Sequence, residues 1–178
     1  MPQTKNDAPA GTQPAVVVMG VSAAGKTTVA TRLARELGCR FVDADDLHPA
    51  VNLAKMAAGT PLTDDDRWPW LDLVGEALDA GAAQGGLVIA CSALRRAYRD
   101  RIRALAPGAL FVHLTGSEEL LAERAAGRVG HFMPPSLLAS QLALLEPIGL
   151  DERGLTIDVA APADAIVAEA ADWVRTQG

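Results

Sequence analysis

"AVVVMGVSAAGKTTVATRLAREL" (residues 15–37) joins an apolar, strand-sized run to a segment with helical spacing through a glycine-bounded loop. The loop, "GVSAAGKT" from Gly20 to Thr27, fits G-x-x-x-x-G-K-[ST]. In that pattern the backbone N–H groups of the loop and of the helix N-terminus cradle phosphate oxygens. The lysine reaches the β- and γ-phosphates, and the hydroxyl ligates Mg2+. A strand before and a helix after separate the pattern from an ordinary glycine turn. A nucleotide is therefore expected against Gly20, Val21, Ser22, Ala23, Ala24 and Gly25, with Lys26, Thr27 and Thr28 opening the helix.

Outward from this loop, four more apolar runs of strand size recur: "RFVDA" (40–44), "LVIAC" (87–91), "LFVHL" (110–114) and "LTIDV" (155–159). They are rich in β-branched or aromatic residues and nearly all lack polar alternation, as strands of a parallel sheet covered on both faces do. Longer helical segments such as "SEELLAERAAGR" (117–128) separate them. That alternation predicts an α/β sheet with right-handed crossovers, whose ligands lie outside the carboxyl ends of the strands.

The 178 residues suffice for one domain with a full core, assigned to residues 15–178. Residues 1–14 are polar, with Pro and Gly, and lack the apolar stretch of a secretory signal, so a flexible tail and a cytoplasmic location are expected. No run approaches the roughly 20 apolar residues of a membrane span. Sixteen basic against 22 acidic residues give a net charge of −6, which argues against a nucleic-acid partner and leaves a small anion possible through local basic groups. Cys39 and Cys91 lack CxxC spacing and read as reduced, packed side chains.

The second strand ends in "FVDADDLH", where Asp43 and Asp45 alternate around Ala44. One carboxylate could face phosphate and metal while the other faces a neighbouring cleft; equally, both could cap a helix on a solvated loop. Beside a phosphate loop, phosphoryl transfer needs both a charge-neutralising metal and a group that takes the proton of the attacking hydroxyl. The strand "LVIAC" runs into Cys91 and Ser92 rather than the aspartate of a Walker B motif, which favours Asp43 near the metal and weighs against a motor ATPase. No N-K-x-D motif points to guanine recognition. Arg124 and Arg128, four apart on one helical face in "LAERAAGRVGHFMPPSLLASQLALLE", suit adenine stacking and a phosphate clamp on a small helical lid over about 124–140. Taken alone, the same pair reads as an ordinary solvated face.

Together "GVSAAGKT", "DADDLHPAVNLAKMAAGTPLTDDDRWPWL", "ACSALRRAYRDRIR", "RVGHFM" and "SQLALLEP" resemble the gluconokinases of the P-loop type, the thermoresistant gluconokinase family, across residues 15 to 175. The resemblance implies a three-layer P-loop kinase fold, a five-stranded parallel sheet flanked by helices with a small helical lid, similar to shikimate kinase and nucleoside monophosphate kinases. It implies ATP and Mg2+ as cofactors, D-gluconate as substrate and a homodimer. On that reading Asp45 deprotonates the 6-hydroxyl, Lys26 and Arg128 act on the transferring phosphate, and Thr27 and Asp43 hold the metal. His48, Lys55, Arg67, Arg99 and Gln141 contact the acceptor, with Arg67 foremost for its carboxylate. The residues by themselves fix only a small hydroxyl-bearing anion. Shikimate, another sugar acid, or a nucleotide-binding module without turnover would use the same machinery.

Within the acidic stretch, Thr63 and Asp66 suit a helix start, so Asp64 and Asp65 read as capping and dipole groups. Trp68, Trp70 and His113 read as core, and His131 falls in the lid. Ala23 and Ala44 replace glycines usual in the family, while Arg95 and Arg96 stand where lysines are common.

Overall fold

Every apolar run becomes a strand within a residue of its predicted limits: β1 Ala15–Met19, β2 Arg40–Asp43, β3 Leu87–Ala90, β4 Leu110–Thr115 and β5 Gly154–Asp158. The computed structural model describes residues 13–127 and 135–178. All strand pairs are parallel, in the order β2-β3-β1-β4-β5. Seven helices are described: α1 Lys26–Leu37, α2 Ala50–Ala57, α3 Asp64–Ala83, α4 Arg96–Leu105, α5 Glu118–Ala126, α6 Pro135–Leu144 and α7 Ala163–Thr176. No described helix is long and apolar enough to cross a membrane.

The period of two along each strand divides its side chains between two cores. Val16 and Val18 of β1, Val88 and Ala90 of β3, and Val112 and Leu114 of β4 join Leu33, Ala30, Ala170 and Val174, placing α1 and α7 on one face. Val17 and Met19, Leu87 and Ile89, and Phe111 join Leu71, Val74, Leu78 and Ile102, placing α3 and α4 on the other. Burying each Val, Leu, Ile, Met or Phe side chain among them contributes about 1.5–3 kcal/mol before entropy is counted. The three central strands are buried on both faces, which is why their runs show no alternation. His113 lies in β4 with 3% of its surface exposed, and neither ring nitrogen has a described partner. Burial, helped by the charge of Arg99, lowers its pKa to about 4, so it packs as a neutral ring.

Local chemistry sets the element ends. Thr63 accepts from the Asp66 amide and Asp66 accepts from the Thr63 amide, a complete capping box that starts α3. Gly38, at φ 68°, closes α1 in the left-handed conformation that glycine adopts without strain. Pro69 lies inside α3, and the Asn52 side chain of α2 donates to the Asp66 carbonyl one turn earlier, tying the two helices together there.

One buried ion pair fixes the far side of the sheet. Arg99 of α4, fully buried, gives Nε to Glu152 Oε1 at 2.8 Å and Nη2 to Oε2 at 3.0 Å. Its Nη1 donates to the Ala93 and Leu94 carbonyls, and Nη2 also to that of Pro147. The expectation that Arg99 contacts the acceptor is therefore corrected: its donors are committed inside the protein. Burial pushes the Glu152 carboxyl up, but hydrogen bonds from Arg99, the Gly149 amide and Arg103 outweigh it and hold the pKa at about 2.

Two outcomes follow for stability. Arg99→Met takes from Glu152 its two-pronged partner and leaves it buried with Arg103 and the Gly149 amide, and a cost of about 3 kcal/mol is expected in urea unfolding. Glu152 has its folded pKa depressed below the ordinary 4.5, so its contribution is complete above that value and fades as pH falls toward about 2. The unfolding free energy of the wild type should drop across that window, and Glu152→Gln should flatten the drop.

Candidate active site

The glycine-bounded loop lies between the ends of β1 and β4. Gly20 has φ 146°, and a Cβ there would come within 2.7 Å of the Leu114 carbonyl, so only glycine allows this approach to β4. Ser22–Ala24 form a 3-10 turn, and Gly25, at φ 85°, turns the chain into α1. Ala23 is buried in that turn at an ordinary φ, so its methyl packs without backbone strain. The Lys26 ammonium donates to the Val21 carbonyl at 3.0 Å, folding across the loop. Ser22 is clasped by Gln141 of α6: its amide donates to Oε1 at 2.8 Å, and Nε2 of Gln141 donates to its hydroxyl at 2.8 Å. Gln141, expected on the acceptor, instead reaches the phosphate loop.

The end of β2 differs in detail from simple alternation. β2 stops at Asp43, and Ala44–Leu47 turn in a 3-10 helix because Asp43 Oδ1 accepts from the Asp45 amide at 3.0 Å. The other oxygen of Asp43 accepts from the Thr27 hydroxyl at 3.4 Å. Ala44 is fully buried, its φ is not positive, and its carbonyl accepts from Trp70 Nε1 at 2.7 Å, so the methyl in place of glycine is absorbed by the core. Asp45 as a residue is exposed, yet atoms crowding its carboxyl withdraw water from it and raise its pKa. The charge of Asp43 raises it further, while His48 and Lys26 oppose the shift.

From Asp45 a row of polar groups leads away from the loop. His48 is buried, stacks on Trp70 with ring centroids 4.2 Å apart, and is fixed by Asn52 at 3.2 Å from Nδ1. Burial lowers its pKa; Asp45 pulls it up and Arg67 pushes it down, so the ring lies within the field of both. Arg67 donates through Nη1 to Asp64 at 3.2 Å and to the Tyr98 oxygen at 3.4 Å. Lys55 is held by Asp66 at 2.7 Å, which lowers the Asp66 pKa to about 2.

Asp64 does more than cap or face the helix dipole. It accepts from the Tyr98 hydroxyl at 2.6 Å, from Arg67 and from Arg95 Nη1 at 3.1 Å. The hydrogen bond from Tyr98 leads in lowering its pKa, and both arginines add to the effect. Sequence reasoning missed Arg95 and Tyr98 as members of this group. The signal was the i, i+3 spacing of the two in "RRAYR", without a hint of which acidic residue they would meet. Trp70 is core as expected, and Trp68, half-buried, meets Tyr98 edge to face.

Arg124 donates to the Val159 carbonyl at 2.7 Å, just past the end of β5. Arg128 and His131 lie outside the described residues, as does the middle of the expected lid. Two concavities, of about 380 and 570 Å³, lie elsewhere: one between Trp68 and α4, the other at the opposite end of the sheet near Pro14, Leu37 and Val174. The row of charges, rather than the size of a hollow, marks the site.

Comparison with known proteins narrows what this row can be. A family model described as an AAA domain matches residues 16–148. The chain is 46% identical over 168 residues to a gluconokinase of Gluconobacter oxydans (strain 621H), covering 93% of this chain and 94% of that protein. It is 46% identical over 170 residues to a probable gluconokinase of Xenopus tropicalis, covering 86% and 90%. The crystal structure of a gluconokinase from Sinorhizobium meliloti 1021 superposes with a TM-score of 0.83 at 48% identity, covering 93% of each chain.

The clasp on Ser22 gives a direct test. Gln141→Ala removes two bonds to the loop, and nucleotide affinity is expected to fall about tenfold, on the scale of one or two hydrogen bonds. Calorimetric titration with ATP checks it.

Proposed function

The chain belongs to the gluconokinase family, and on that premise we propose that it transfers the γ-phosphoryl group of ATP to the 6-hydroxyl of D-gluconate, giving 6-phospho-D-gluconate and ADP. The observation that carries the reading is that Lys26 acts through charge on Asp45, Asp45 on His48 and Arg67 on His48, which sets these four groups as neighbours in that order. A linear sugar acid has a hydroxyl at one end and a carboxylate at the other. The row offers a carboxylate base beside the phosphate loop at one end and a guanidinium at the other.

Phosphoryl transfer passes through a loose transition state, so positioning and charge do most of the work. Lys26 and the loop amides hold the phosphates. Asp45 accepts the proton of the 6-hydroxyl, and the same crowding that raises its pKa makes it the stronger base. His48, buried and fixed by Asn52 and Trp70, orients a hydroxyl of the acceptor, and Arg67 takes its carboxylate. The residues fit Mg2+: Thr27 Oγ1 and Asp43 Oδ2 are hard oxygen donors 3.4 Å apart on the rim of the loop. Bound with ATP, the ion would neutralise the β- and γ-phosphates. On the family resemblance, Arg124 and Arg128 would act on the nucleotide from a lid that excludes competing water. A cytoplasmic homodimer completes the proposal, on the family resemblance alone.

Asp45→Asn is expected to cut turnover about 10²–10⁴-fold while ATP still binds. In the wild type the base must be ionised, so kcat/KM should fall as pH drops through the Asp45 pKa, with the limb above the ordinary aspartate value because that pKa is raised. A coupled assay with D-gluconate and shikimate as acceptors, run across pH, checks both. Turnover of shikimate and not gluconate, or full activity of the variant, would sink the assignment.

A further inference from the structure

We propose that Arg95 is a second binding residue for the carboxylate of the acceptor, acting with Arg67 across Asp64 and Tyr98, and that this pair makes the enzyme selective for an acid over its neutral analogue. The inference rests on the acceptor site proposed above and deepens it.

Charge is the first argument. Two guanidiniums and one carboxylate meet at Asp64, and the fourth member, Tyr98, keeps its proton because burial and its bond to Asp64 raise its pKa. The group is left one positive charge in excess. Glu146, the next acid to influence Arg95, acts on it through charge alone and makes no described bond to its guanidinium. Lys55, the other cation of this stretch, is neutralised by Asp66. The surplus thus stands at one place along the row, at the end away from Asp45, where an anionic group of the acceptor would complete the balance.

Geometry is the second. Three other arginines act as two-pronged forks: Arg99 on Glu152, Arg96 on Asp151 and Arg101 on Asp72 each make two parallel bonds. Arg67 and Arg95 each reach Asp64 through Nη1 alone. Both guanidinium carbons also lie over the Tyr98 ring, 5.7 Å from its centroid. Two arginines beside one ring, neither engaged by a carboxylate through two parallel bonds, suit a planar anion.

Rigidity is the third. Arg95 follows Ala93, a non-glycine residue described with positive φ, 43°, and such a backbone persists only where its surroundings determine it. The determinant is beneath it: the buried Arg99 guanidinium holds the Ala93 and Leu94 carbonyls. Arg95 is thereby presented from a fixed loop, with its side chain still 38% exposed.

The test compares D-gluconate with D-gluconamide, the same chain with a neutral terminus, for wild type, Arg95→Gln and Arg95→Lys. KM is measured for gluconate and the competitive Ki for gluconamide, with thermal unfolding to show that the variants fold. Arg95→Gln is expected to raise the gluconate KM roughly tenfold to hundredfold, the range of a charge-assisted hydrogen bond, with a much smaller change in gluconamide Ki. Arg95→Lys, which keeps the charge and loses the fork, should recover part of the loss. Equal shifts for both compounds would show a purely structural role, and an unchanged gluconate KM would show none; either overturns the proposal. A wild type that turns over no gluconate would instead overturn the acceptor assignment on which it rests.

Discussion

The Arg99–Glu152 pair is the constraint on which the proposed acceptor side of the molecule depends. Removing a guanidinium entirely from water is costly unless its hydrogen-bond capacity is met, and here every nitrogen has a described partner. The partners come from separate places: the loop after β3, the segment after α6 and the turn before β5. One side chain of α4 thus joins pieces of chain that share no secondary structure. A hydrophobic residue could fill the same volume, but it could not hold three carbonyls in fixed directions. Glu146 reinforces the join, since its amide donates to Leu94 and its carboxylate takes the first amide of α4.

This join links the two halves of the candidate site. The segment ending at Pro147 begins in α6, whose Gln141 clasps Ser22 of the phosphate loop. The loop held at Ala93 and Leu94 leads into Arg95 and Tyr98, which meet Asp64. Phosphate cradle and arginine pair are therefore attached to a common, buried anchor. The sheet order supplies the rest: with β1 central between β3 and β4, the loop after β1 opens in the crevice where strand ends diverge, and β2 delivers Asp43 to its rim.

What could be read from the sequence was whatever depends on neighbours along the chain. The apolar runs, the phosphate loop and the Thr63 capping box are local patterns with a fixed period or spacing, and the structure reproduces them. The family resemblance also pointed to residues 43–71 as the acceptor stretch, which the proposed function adopts. What stayed hidden depends on long reach. Arg99 meets Glu152 across 53 positions, Tyr98 meets Asp64 across 34, and Gln141 meets Ser22 across 119. No periodicity reports such pairs, so Arg99 looked like one more cation beside a binding stretch and Gln141 like a candidate for the acceptor. The turn before Asp45 was hidden as well. Alternation assumed the strand continued, whereas the Asp43 side chain captures the Asp45 amide and turns the chain one residue earlier.

A chain with net charge −6 proposed to bring two anions together must concentrate its cations where they count. Positive charge at both ends of the row would draw in phosphate and carboxylate, but it would also weaken a base placed between them by stabilising its ionised form. Lys26 and His48 do pull the Asp45 pKa down. Crowding by neighbouring atoms and the charge of Asp43 push it up, and they prevail. Asp43 thus has two parts in the proposed mechanism: without the ion it is the negative neighbour that raises the Asp45 pKa, and with ATP it would serve as a donor for the metal. The 3-10 turn that departs from simple alternation is what brings the two carboxylates close enough for that coupling, so the feature least legible in the sequence is the one that tunes the proposed base.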